Sequence, residues 1–229
     1  MKKFVFAFAL LALVASAGAV KFTTYADAGV TSTIPVDEKA MKQAEAGTYS
    51  FDKAHSFIGF KIKHMGLIEV PGYFRDFTGT VNFDAADPSK STVQFAAKMT
   101  SVDTGVTGRD NHLRTKDFFE VETYPEMTFK STSVTKKGNG WLLTGDLTMK
   151  GVTKSVSIPF DVTGFIPGSE RAGAKIGIVG ETTINRRDYN VTYGTNMPNG
   201  VAMLSDDVKV VLQIEAAKPR PAATTPAAE

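Results

Sequence analysis

A two-residue hydrophobic rhythm, repeated along most of the chain, is the feature that most constrains its fold. Ile58, Phe60 and Ile62 alternate with Gly59, Lys61 and Lys63, and Val93, Phe95, Ala97 and Met99 alternate with Gln94, Ala96 and Lys98. Val156, Ile158, Phe160 and Val162 stand between Ser155, Ser157 and Asp161. Val208, Val210, Leu212 and Ile214 stand between Lys209, Gln213 and Glu215, with Val211 the exception. Trp141, Leu143, Leu147 and Met149 share one face across Gly145. Successive strand residues point to opposite sides of a sheet, so each run describes a strand with one apolar face. Further strands are expected at 72–83, 126–134 and 174–184. Phe74 and Phe77, three apart, break the rhythm in the first of these and imply a bulge. Asp87-Pro88, Lys137-Gly138-Asn139-Gly140, Lys150-Gly151 and Pro167-Gly168 supply the turns.

About eight antiparallel strands of this kind close into a barrel that leaves no sheet edge, wide enough inside for packed side chains or one small ligand. A two-sheet sandwich is the competing architecture, because it demands the same alternation. The expected fold is therefore all-β, with one short helical departure. Gly108 to Glu122 (GRDNHLRTKDFFEVE) carries basic and His side chains without alternation, and Asp117 followed by Glu120 resembles a capping box. A helical lid over one barrel mouth is expected there.

Composition narrows the function. With 42% hydrophobic residues in 229, the chain can bury a large core, and with no cysteine it has no disulfide, thiolate nucleophile or thiolate metal site. Met1-Lys2-Lys3, the apolar run Phe4–Ala15 and Ala17-Gly18-Ala19 read as a signal peptide over residues 1–19. That run falls short of the roughly 20 residues a membrane span needs. Residues 20–46 read as an N-terminal arm, 47–215 as one barrel domain and 216–229 as a Pro/Ala/Thr-rich disordered tail. Without Lys2 and Lys3 the basic and acidic side chains balance at 24 each, which gives no electrostatic case for nucleic acid. Export and the absence of cysteine point to a bacterial periplasm or to secretion.

Chemistry-bearing patterns are sparse. His55, His64 and His112 show no metal-ligand spacing, so no metal or cofactor is expected. His55 and Ser56 are strand neighbours whose side chains diverge, and no Gly-x-Ser-x-Gly is present. Arg109-Asp110 and Arg186-Arg187-Asp188 either grip an anionic head group or pair with nearby acids. Phe118 and Phe119 either pack in the core or line an entrance.

The strings Tyr49 to Phe60 (YSFDKAHSFIGF), Gly72 to Gly79 (GYFRDFTG), Thr107 to Phe119 (TGRDNHLRTKDFF), Tyr124-Pro125, Phe129-Lys130-Ser131 and Gly145 to Gly151 (GDLTMKG) together resemble the YceI-like family. The resemblance implies a lipocalin-like antiparallel barrel with an elongated apolar cavity. It also implies binding of a polyisoprenoid lipid, an isoprenoid quinone or a prenyl phosphate, in the periplasm. One departure stands out: Arg187-Asp188-Tyr189-Asn190 replaces the family's Arg-x-Asp-Phe-Gly-like residues, which leaves the loop after the seventh strand open. The expected cavity residues are Ile58, Phe60, Ile62, Phe95, Met99, Leu143, Leu147, Ile158, Phe160, Ile178 and Val210. Arg109, His112, Phe118, Phe119 and Arg187 are the lid and head-group candidates. The expected function is a lipid carrier with no chemistry of its own, and a homodimer is compatible with it. Two alternatives stand beside it: a hydrolase or isomerase with a mouth built from His55, Arg109 and His112, or a filled barrel serving as an interaction module.

Overall fold

Hydrogen-bonded hairpins turn the alternating segments into one ring. The computed structural model describes residues 44–220. Eleven strands form one antiparallel sheet: β1 (Gly47–Phe51), β2 (Phe57–His64), β3 (Ile68–Phe74), β4 (Phe77–Phe83), β5 (Thr92–Lys98), β6 (Val102–Asp103), β7 (Glu126–Lys137), β8 (Gly140–Met149), β9 (Val152–Ile166), β10 (Lys175–Asn185) and β11 (Leu204–Ala217). The first six are three broken staves. β1 and β4 pair while β2 and β3 pair, and β4 and β3 then face β5 and β6. Five unbroken strands complete a barrel of eight staves, and β11 closes it by pairing with both β2 and β1 (Ser50 with Ala217, Phe51 with Ala216). Closure excludes the sandwich, because no stave has a free edge along its whole length.

The three breaks lie side by side. Phe74 and Phe77 are both buried because Arg75 and Asp76 form a two-residue interruption between them, in place of the expected bulge. Asp76 accepts from Lys53 Nζ at 2.5 Å, and its carbonyl accepts from Lys98 N. Arg75 lies over the Tyr73 ring and donates to Asp103. Bulges elsewhere preserve the inward set. The β7–β8 register shifts between Ser131 and Ser133, so Phe129 and Val134, of opposite parity, are both buried. A second shift, where β9 meets β10, lets Phe165 pack against the same core in which Val162 is buried.

The strand forecast missed β1, and two other expectations change. The α-helix among the described residues, α1, spans Thr107–Arg114, upstream of the Asp117–Glu120 pattern. Asp117 instead faces His112, and Glu120, at φ 51°, leads into a turn over 121–123 rather than a helix. What fixes α1 is tertiary: buried Asp110 accepts from Thr104 N and Oγ1, while Arg114 donates to the Thr100 and Val102 carbonyls. The departure at Asn190 is absorbed, since it sits at φ 59°, ψ 24°, a left-handed position that Asn fills more readily than most residues. Strand β11 runs to Ala217, two residues into the expected tail, and Ala216 is fully buried. The expected leader, most of the arm and residues 221–229 of the tail lie outside the described residues.

The two poles differ. At one, Tyr49, Ala174, Ile176 and Ala216 fill the interior, and the Tyr49 hydroxyl donates to the Glu45 carbonyl at 2.7 Å. At the other, long excursions replace hairpins: residues 104–125 between β6 and β7, and 186–203 between β10 and β11.

Candidate functional site

Above the filled pole the inward side chains stop short of one another, leaving a cavity of about 420 Å³. That size falls in the range of small-molecule sites. Its walls come from the inward positions of nearly every stave: Ile58, Phe60 and Ile62 of β2, Phe95 of β5, Phe129 of β7, Leu143 and Leu147 of β8, Ile158 of β9, and Val210, Leu212 and Ile214 of β11. Aromatic rings take the place of missing side chains. A Cβ on Gly145 would overlap the Phe129 ring, and one on Gly72 would overlap Phe60. Phe60, Phe74 and Phe119 form a chain with centroids 6.0 Å apart at each step, running from the wall to the lid.

Polar groups gather at the open pole: His64, Thr104, Arg109, His112 and Arg186 border the same space. Arg109 and Tyr193 are surface-exposed as well as cavity-lining, so the cavity meets solvent between α1 and the 186–203 excursion. His112 packs edge-on against Phe118 and Tyr193, with centroids at 5.1 and 4.9 Å, and its Nε2 lies 2.9 Å from Asp117 Oδ2. These contacts hold the lid segment against the opposite excursion. Arg109 donates Nε to Thr104 Oγ1 and Nη2 to the Thr104 carbonyl.

Arg186 is the buried charge of the site, 3% exposed. Its guanidinium donates to the carbonyls of Ser205, Val191 and Tyr193 and to Asp206. Burial, helped by neighbouring Arg187, lowers its pKa while Asp206 opposes the shift, yet a guanidinium stays charged. Arg186 therefore staples the excursion to β11 from inside the cavity rim.

Eight of the expected cavity residues line the cavity: Ile58, Phe60, Ile62, Phe95, Leu143, Leu147, Ile158 and Val210. Met99, Phe160 and Ile178 do not. Met99, 1% exposed, begins a 3₁₀ turn, donates its N–H to the Pro125 carbonyl and packs in the core. Phe160 and Ile178 face inward, packed against the core toward the filled pole. Among the lid candidates, Arg109, His112, Phe118 and Phe119 line the cavity. Arg187 does not; it is exposed and donates to Asp206 and the Thr192 carbonyl. The β10 rhythm of Ile178, Gly180, Thr182 and Ile184, carried one step further, reaches Arg186, so within the Arg186-Arg187-Asp188 cluster it is Arg186 that lines the cavity. Neither Arg109 nor Arg187 pairs with its adjacent aspartate: the Thr104 hydroxyl and carbonyl take Arg109, and Asp206 and the Thr192 carbonyl take Arg187.

The enzymatic alternative loses a member. His55 sits outside the barrel in the turn before β2, exposed and hydrogen-bonded to Asp52, which raises its pKa. Asp52, His55 and Glu215 cluster there closely enough for a metal, and Lys175 Nζ stands 2.5 Å from Glu215.

The profile of the YceI-like domain matches residues 49–216. Protein YceI of Escherichia coli O6:H1 is 38% identical over 175 residues, spanning 75% of this chain and 87% of that protein. A UPF0312 protein of Pectobacterium atrosepticum has the same identity and coverage. Among solved structures, the YCEI protein of Campylobacter jejuni superposes with a TM-score of 0.60 at 35% identity, over 73% of this chain and 96% of the other. BcnA of Burkholderia cenocepacia gives 0.63 at 27% identity, over 73% and 99%. A polyisoprenoid binding domain from Saccharophagus degradans, implicated in plant cell wall breakdown, gives 0.57 at 18% identity over 76% and 100%, a likeness of fold.

Proposed function

This chain belongs to the YceI-like domain family, and on that premise we propose that it binds and carries a polyisoprenoid lipid, an isoprenoid quinone or a prenyl phosphate, in the barrel cavity. The observation that carries this reading is the cavity itself: deep, walled by aliphatic and phenyl side chains, with polar groups only near one end. A long apolar chain with one polar terminus matches that distribution. The Saccharophagus degradans domain of the same fold binds a polyisoprenoid, which supports the ligand class.

Each five-carbon isoprene unit gains about 4 kcal/mol gross on burial, at about 0.8 kcal/mol per carbon group. Eight units would pass the practical ceiling of about 20 kcal/mol for any non-covalent complex. Cavity depth, rather than affinity per unit, therefore selects chain length. Carriage without chemistry is favoured by the state of the hydroxyls near the cavity. Thr104 donates to Asp110, and Thr182 donates to the Ser157 carbonyl. Both are committed to structural partners: Thr104 also accepts from Arg109 Nε, so its hydroxyl ties α1 to the wall on both its donor and its acceptor side. The leader-like residues 1–19 support export, and with it a periplasmic or secreted carrier.

Native mass spectrometry of protein purified without detergent, followed by solvent extraction, tests the proposal. A stoichiometric extra mass that extracts as a prenyl lipid is the expected result. An apo mass that stays unchanged after incubation with quinones and prenyl phosphates overturns it.

A further inference from the structure

Exposed apolar side chains are unevenly distributed over this barrel. Of the seven large ones among the described residues, Leu67, Ile68, Val106, Tyr193 and Val201 belong to segments that border the cavity mouth. Leu67 is 79% exposed, Ile68 64% and Val106 50%. Of the other two, Phe57 stacks on Tyr73 at 5.6 Å, and Ile166 lies at the filled pole.

The five make one collar. Met65 and Gly66 hold positive φ of 51° and 72°, turning the β2–β3 hairpin so that Leu67 and Ile68 stand at its tip. Met65 N–H donates to the Met203 carbonyl at 2.9 Å, and Gly66 lies against Val201, which ties this tip to the 186–203 excursion. Cavity-lining residues flank each member: His64 and Val70 around the hairpin tip, Met203 after Val201, and Arg109 after Val106. Tyr193 belongs to both collar and lining.

From this continuity we infer that the mouth pole docks onto a lipid bilayer, with Leu67 and Ile68 entering the acyl boundary and the cavity opening toward it. The inference rests on the carrier reading. A prenyl chain passing directly from bilayer to cavity never exposes its isoprene units to water, and the collar surrounds the opening through which it would pass. The segments that carry the collar hold exposed or half-buried charges of both signs: Lys61, Lys63, Arg109, Lys116 and Arg187 on one side of the balance, Glu69, Asp117, Asp188 and Asp207 on the other. Attachment is therefore apolar insertion, largely independent of anionic lipid.

Flotation with phosphatidylcholine vesicles free of any prenyl lipid, with and without phosphatidylglycerol, tests this directly. The protein partitions similarly onto both vesicles, and L67S/I68S lowers partition at least about tenfold, equivalent to about 1.4 kcal/mol. Both side chains are exposed, so the double variant keeps its fold, which circular dichroism verifies. In L67W, brominated lipid quenches the introduced indole and spares Trp141, whose β7–β8 hairpin lies at the filled pole. Three vesicle results sink the idea: no partition, partition that L67S/I68S leaves intact, or partition only with phosphatidylglycerol. A concentration-dependent dimer abolished by L67S/I68S also sinks it, since a second copy would then cover the collar. Prenyl uptake measured without vesicles fails or survives separately. Uptake retained by L67S/I68S leaves the carrier standing whatever the vesicles show, and flotation without uptake leaves the docking standing without the carrier.

Discussion

One alternation builds both ends of this barrel, yet one end is packed solid and the other is hollow. At the filled pole the residue before β1 and the residue after β11 close on each other. Lys218 Nζ donates to the Ala46 carbonyl at 2.8 Å, reaches Glu45 at 3.3 Å and lies over the Tyr49 ring, which is 0% exposed. At the mouth the chain leaves the sheet for two long excursions held by a few polar staples, Arg186 foremost among them. A barrel can thus separate its tasks along its axis: one end secures the ring, and the other is free to hold a ligand.

Substitutions at opposite ends should separate the two tasks, and the largest effect is expected at the filled pole. Tyr49→Ala removes a buried ring and its hydrogen bond to Glu45, and should cost about 3–5 kcal/mol in urea unfolding. A loss below about 1 kcal/mol would mean that this pole does not anchor the ring. Val210→Phe places bulk in the cavity between Phe60 and Thr182, its partners across β2 and β10. Prenyl uptake should drop at least about tenfold while stability changes by less than about 2 kcal/mol, because the new ring enters empty space. Unchanged uptake would place the ligand elsewhere.

Alkaline titration sharpens the contrast. Burial, aided by Glu45 and Asp188 respectively, pushes the Tyr49 and Tyr189 phenols up to about 12 from 10.0. The folded state thus keeps protons that the unfolded chain releases. Their contribution is whole below about pH 10 and is lost as pH rises from 10 toward 12. Unfolding at stepped pH should show that fall, and Tyr49→Phe and Tyr189→Phe should each flatten part of it. The smallest effect belongs to Lys218→Met. It leaves Glu45 partly exposed without its cation and should cost under about 1 kcal/mol by the same urea assay.

Sequence reading located the barrel because period two reports the side on which a residue lies, and closure follows from strands that each need a covered face. Period two does not report height along the axis. Phe160 shares a face with Ile158, yet it belongs to the packed end, and only register against Trp141 and Gly180 reveals that. The helical lid segment stands over the mouth as expected, and only its start is displaced. The Asp117–Glu120 spacing looks like a helix start, whereas α1 begins at Thr107 after Val106, an N-cap with no side-chain hydrogen bond to offer, and is pinned through Asp110 and Arg114 to Thr104, Thr100 and Val102. Arg187 was favoured over Arg186 because identical neighbours carry no orientation by themselves; parity from β10 supplies it.

The closing pair has a consequence for how the chain is made. Apart from the pairings of β11 with β1 and β2, neighbours in the ring are joined by a short or moderate stretch of chain, whereas Ser50 and Phe51 find Ala217 and Ala216 only when β11 is present. β11 also supplies the partner for β2 along its length. On a ribosome, then, the earliest staves wait for the latest, and cooperative locking comes after synthesis of the whole domain rather than during it. A polypeptide assembled this way keeps its ring open until β11 emerges.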